Sequence, residues 1–154
     1  MYETDLQMRL RDLNTAHHVD NLEVMRVADE ARILFLGGAE GVRDEPLGVL
    51  KNMPSEVMIL VAAQHAEFRA QIRWQPGASY RVRSWVGHVG TSSFTVESEI
   101  RTERSEPDAV IEATVVLLDQ RTGRPWPFSG AVRRELERHR ESPLTLRPRP
   151  GSAV

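Results

Sequence analysis

Cysteine is absent from the 154 residues. That excludes a disulfide framework, a cysteine nucleophile and any thiolate metal site, and it fits a reducing compartment. An excess of charge of one sign is also lacking, with a formal net charge of −2. Without a basic face, neither nucleic acid nor an anionic membrane is an expected partner. Long apolar runs are missing as well. The longest, Val57 to Ala63, falls far short of the roughly 20 residues a membrane span requires. The opening MYETDLQMRLRDL is charged and lacks the apolar core of a signal peptide. These absences predict a soluble, cytoplasmic protein. Internal repeats are not found, and low complexity is confined to the end. From Ser142 the chain reads SPLTLRPRPGSAV, with no apolar period, so residues 142–154 are expected to form a flexible tail behind one domain spanning residues 1–141.

What is present is an ordinary globular composition, 40% hydrophobic and 27% charged. One long helix stands out. Asp20 followed by Glu23 has the form of a capping box. The segment NLEVMRVADEARILFL then sets Val24, Val27, Ala28, Ala31, Leu34 and Phe35 on one stripe, with an Arg26–Glu30 pair opposite. Gly37-Gly38 should end it. The rest reads as strand. Glu56–Ala63 is an apolar run, as expected of a strand covered on both faces, and alternation continues through Ala66, Phe68, Ala70 and Ile72. Tyr80, Val82, Ser84 and Val86 alternate with Arg81, Arg83 and Trp85; Phe94, Val96, Ser98 and Ile100 alternate with Thr95, Glu97 and Glu99. Ala109–Leu118 is a last strand rich in β-branched residues, and a short helix is expected over Ala131–His139. The order predicts an α+β fold in which a curled antiparallel sheet wraps one helix. The sheet's outer face or edge would then pair with a second copy, giving a homodimer or homotetramer.

The run RLRDLNTAHHVDN followed by LEVMRVADEARILFL resembles the opening of the 4-hydroxybenzoyl-CoA-thioesterase-like hotdog family. That opening combines an Arg-x-x-Asp-x-Asp turn, a Gly-His-Val-Asn-Asn stretch and a helix carrying Glu-Glu-Ala-Arg. Arg9, Asp12, His18, Val19, Asn21, Glu30, Ala31 and Arg32 match it. VGHVGTSSFTVESEI is similar to the family's third and fourth strands, and LLDQRTGRPWPF to its last strand and exit. The likeness runs from about residue 5 to 137. It implies a hotdog fold and hydrolysis of an acyl thioester, usually acyl-CoA, at sites between two subunits. It also implies that a backbone amide at the helix start, here that of Asn21, polarises the thioester carbonyl; a helix N-terminus offers free N–H donors and partial positive charge to a developing oxyanion.

Two positions depart from the family pattern. Asn14 stands where many members carry the catalytic Asp, and an amide is neither a base nor a carboxylate nucleophile. His17 replaces the glycine. The candidate catalytic residues are therefore Asn14 and His18, to position or activate water, and Glu30, a substitute carboxylate on the helix. Two of them have an alternative reading: Asn14 as a turn residue bonding its own backbone, and Glu30 as a surface carboxylate paired with Arg26. Asp20 and Asn21 are candidate substrate contacts, although for Asp20 the N-cap is the stronger reading. Gly90, Thr91, Ser92 and Ser93 are candidates for holding the pantetheine chain, or form a plain hairpin turn. No metal ligand set and no cofactor are expected. Two rival functions remain: a non-catalytic acyl-CoA or acyl-carrier binding module, and a hydratase-type enzyme on the same fold.

Overall fold

The computed structural model describes residues 2–37 and 48–148. The chain starts with strand β1 (Tyr2–Gln7), makes a 3-10 turn at Leu10–Asp12, and enters helix α1 (Asn21–Leu36). Strands β2 (Val57–Phe68), β3 (Ser79–Val89), β4 (Ser93–Arg101) and β5 (Ala109–Asp119) follow, and helix α2 (Gly130–Arg138) closes the fold. The strands form a 5-stranded sheet in the order β1-β3-β4-β5-β2, with every pairing antiparallel.

Helix α1 occupies the limits its sequence predicts. Asp20 caps it, accepting from Leu22 N at 2.8 Å, and Gly37 closes it in the left-handed region at φ 91°. The capping box is only half formed: Glu23 turns to Arg26 at 2.6 Å instead of reaching back to the cap. Val24, Val27, Ala28, Ala31 and Phe35 are buried against the sheet, the alanines allowing close approach, whereas Leu34 is only half-buried and Arg32 is buried instead. Gly38 lies outside the described residues.

The sheet's inner face carries Tyr80, Val82, Val86, Val96, Ile100, Ile111, Val115 and Leu117. These divide into two apolar clusters. One lies around Val19, Val24 and Val27 at the start of α1; the other surrounds Phe35 and Leu36 at its end, where Val132 and Leu136 of α2 join it.

Two strand expectations are corrected. Strand β2 is not covered on both faces of the single chain: it lies at the sheet's edge, and Met58 is 41% and Leu60 44% exposed. It also stops at Phe68 although the alternation runs to Ile72. There the amides of Arg69 and Ala70 both turn to Asp108 O, and Ile72 O accepts from Val19 N. The backbone leaves the ladder while Ile72 still faces the core.

Beyond α2, the Val86 amide donates to His139 O and the Glu141 amide donates to Val86 O. Residues 142–148 then cross the outer sheet face as a strap. Ser142 O accepts from Trp85 Nε1 at 2.9 Å, Leu144 N donates to Glu97 Oε2 at 3.4 Å, and Thr145 O accepts from Arg69 Nη2 at 3.3 Å. Segment 142–148, expected as part of a tail, is thus tied down by backbone groups. The rest of the tail, residues 149–154, lies outside the described residues.

Candidate active site at the start of helix α1

The approach to α1 is a tight loop built on Asn14. Its Oδ1 accepts from Ala16 N at 2.9 Å and His18 N at 3.2 Å, and its backbone N donates to His18 O at 2.8 Å. His17 sits at the tip with φ 61°, the left-handed region in which a Cβ is penalised. This is the position where the resembling family places glycine.

Asp12 anchors the loop from below. It is fully buried, and its Oδ2 accepts from Tyr80 Oη at 3.1 Å and Arg9 N at 2.9 Å. Its backbone carbonyl receives the Asp20 amide at 2.8 Å, and Arg26 lies 3.9 Å from Oδ1. Burial, followed by the charge of Asp12, pushes the Tyr80 hydroxyl well above the ordinary phenol range. Tyr80 is therefore a constant donor to that carboxylate. The matching of Asp12 to the family motif signalled its place, but its role as the buried anchor follows from the contact with Tyr80, 68 positions away.

Between this loop and the end of β2 lies a cleft of about 500 Å³. Asn14, His18 and Asn21 line one side, with Val19 and Val24 at the base; Phe68, Arg69, Gln71 and Asp108 line the other. The first amides of a helix lack intrahelical acceptors. Leu22 spends its amide on Asp20, while Asn21, one residue earlier, borders the cleft. Asp108 is the carboxylate on this wall, and its Oδ2 is taken by Thr102 N at 2.8 Å and Thr102 Oγ1 at 2.9 Å. Phe68, Arg69 and Asp108 gave no sequence signal as site residues, because they reach the cleft from segments remote along the chain.

Other candidates lie elsewhere. Asp20 serves as the cap. Glu30 is bonded to Arg26 at 2.9 Å with its side chain 45% exposed, and it does not border the cleft of its own chain. Gly90, Thr91 and Ser92 form the β3–β4 turn, and Ser93 opens β4. Gly90 N donates to Ser93 O, Thr91 O accepts from Phe128 N, and Ser92 O accepts from Leu117 N. Within one chain the structure brings Asn14, His18 and Asn21 together and leaves Glu30 and the Gly90–Ser93 turn apart. Among the described residues, no cluster of His, Asp and Glu is arranged to hold a metal. None of the described helices is long and apolar enough to cross a membrane.

The curled sheet around α1 is a hotdog fold, and the sequence matches the thioesterase-like superfamily over residues 8–136; the chain belongs to that superfamily. Solved structures agree on the fold. The PA5185 protein of Pseudomonas aeruginosa superposes with a TM-score of 0.74 at 20% identity, covering 94% of each chain. A thioesterase from Thermus thermophilus, complexed with coenzyme A and zinc, gives 0.67 at 23% identity, covering 87% of this chain and 95% of its own. A DHNA-CoA thioesterase from Staphylococcus aureus gives 0.65 at 12% identity over 81% and 78% of the two chains. No match is found among curated protein sequences.

Proposed function

We propose that this protein hydrolyses acyl thioesters of the acyl-CoA or acyl-carrier type, as a homodimer or homotetramer of the cytoplasm. The observation that carries the reading is the cleft where Asn14, His18 and Asn21 meet at the start of α1. The Asn21 amide polarises the thioester carbonyl. A water held by Asn14 and His18 attacks the carbonyl carbon, and its proton passes to the His18 imidazole. The tetrahedral oxyanion, stabilised by the helix start, collapses with cleavage of the carbon–sulfur bond. The thiolate then takes the proton from His18, leaving a carboxylic acid and a free thiol. Water activation, rather than an acyl-enzyme, follows from the amide at Asn14.

A second reading has its own support. Asn14 Oδ1 is already engaged by two backbone amides, which suits a loop-forming residue in a non-catalytic acyl-CoA binding module. Thiol release across an acyl-CoA panel separates the two, and the protein, lacking cysteine, adds no thiol background. Turnover by the natural protein, falling about 100-fold or more in His18→Gln, supports hydrolysis with His18 as base. If only Asn14→Asp turns over, the natural protein is a binding module. If both bind acyl-CoA and neither hydrolyses it, the thioesterase reading fails.

A further inference from the structure

Resting on the thioester reading, we propose that Arg69, braced by the C-terminal strap, is the anion subsite of the cleft and holds a negatively charged group of the substrate. Arg69 is the only arginine or lysine among the residues lining the cleft, and the opposite wall is Asn14, His18 and Asn21. The same residue also lines the groove beneath the strap, beside Trp85, Leu144 and Thr145. It therefore connects two features that are otherwise separate.

Among the described residues, its guanidinium is held on one side only. Nε and Nη2 donate to Glu67 Oε2 at 3.2 and 3.1 Å, and Nη2 also reaches Thr145 O at 3.3 Å. Glu67 is fixed in turn, because its Oε1 accepts from Arg147 N of the strap. That bond, with the Arg69 pair, holds the Glu67 carboxyl below its ordinary range, so the brace stays ionised. These bonds use Nε and Nη2 and leave Nη1 outside the brace, on a side chain that is 31% exposed. The other charged group on that wall, Asp108, has its carboxylate turned to Thr102, with Arg104 3.9 Å from its second oxygen. Its charge is thus partly answered away from the cleft. A planar cation fixed along one edge, with its remaining donors open, suits a phosphate or a carboxylate. The anion has two sources in a thioester substrate: the phosphates of the pantetheine-bearing arm, or a carboxylate on the acyl group.

Kinetics on three thioesters separate these sources: a neutral acyl-CoA, the same acyl group on N-acetylcysteamine, and glutaryl-N-acetylcysteamine. Arg69→Gln is expected to raise KM about tenfold, with kcat unchanged, for whichever substrates carry the anion. A rise confined to acyl-CoA assigns the phosphate. A rise confined to the glutaryl thioester assigns the acyl carboxylate. Equal effects on all three, or none, overturn the proposal, because a merely structural arginine would not discriminate by charge. Arg69→Lys should recover part of the loss. For the brace, Trp85→Phe removes the indole donor to Ser142 O, and should raise the same KM about threefold but add nothing in the Arg69→Gln background. Additive or absent effects overturn the strap's part. Should the natural protein hydrolyse none of the three, the thioesterase reading fails on its own, and calorimetric titration with coenzyme A and glutaryl-coenzyme A decides Arg69. Weaker binding of either by Arg69→Gln keeps the subsite; unchanged binding of both ends it.

Discussion

At the scale of single residues, the loop before α1 accepts backbone strain that its sequence does not relieve. His17 takes φ 61° with a full side chain that is exposed to solvent. Glycine would remove a left-handed penalty of about 1 kcal/mol, partly offset by its greater freedom in the unfolded chain. His17→Gly is therefore expected to stabilise the protein by about 0.5 kcal/mol in urea denaturation. A loss of stability would mean that the imidazole has a partner in solution. Glu97 is a second costly residue. It is fully buried on the outer face, bonded to Thr95 Oγ1 at 2.6 Å, and covered by Leu144 of the strap. Burial, aided by the charge of Glu112 on the neighbouring strand, pushes its carboxyl above the ordinary value, against the pull of the Thr95 and Leu144 bonds. The folded form therefore holds its proton longer than the unfolded chain does. The associated stability is fully present below the unfolded value and is lost as pH rises through the folded one. Glu97→Gln keeps the shape without the charge, so it should match the natural protein in acid and exceed it increasingly towards neutral pH. Melting temperatures measured from pH 4 to 8 check this, and a gap independent of pH would contradict it.

At the scale of elements, legibility depended on whether the determinants are local. Helix α1 could be read to its last residue because Asp20 and Gly37 act within a turn of its ends. If Asp20 is chiefly the cap, Asp20→Ala costs about 1 kcal/mol of stability, read as a shifted urea midpoint. Lost turnover at unchanged stability would instead give it a part in the chemistry. Strands β3, β4 and β5 were equally readable, since alternation and turn residues bound each one. The end of β2 was not, because what stops it is Asp108 O capturing two amides from a distant segment. Nor was the strap. Its anchors are the backbone groups of Ser142, Leu144 and Thr145 meeting side chains of the sheet, and composition does not encode such contacts. The candidate site divides the same way. Asn14, His18 and Asn21 are close in sequence and were found there, whereas Arg69 and Asp108 enter only when the sheet closes the cleft.

At the scale of the whole molecule, the edge strand governs what a single chain lacks. Strand β2 is 12 residues long, pairs among the described residues only with β5, and exposes Met58, Leu60 and Phe68. A long apolar edge is a template for another strand. Two copies meeting antiparallel along β2 about a two-fold axis would set the Phe68 end of one beside the Val57 end of the other. The Phe68 end borders the cleft; the Val57 end pairs with Asp119, close to the Leu117 amide that binds Ser92. Such pairing would bring the partner's Gly90–Ser93 turn towards the cleft it does not reach in its own chain. The expected outcome is a dimer or tetramer at micromolar concentration by light scattering. Leu60→Lys, which places a charge on the exposed edge, should shift the mass towards the 17.4 kDa monomer and abolish most turnover together. A natural protein that remains a monomer and is fully active would show that the cleft is complete within one chain.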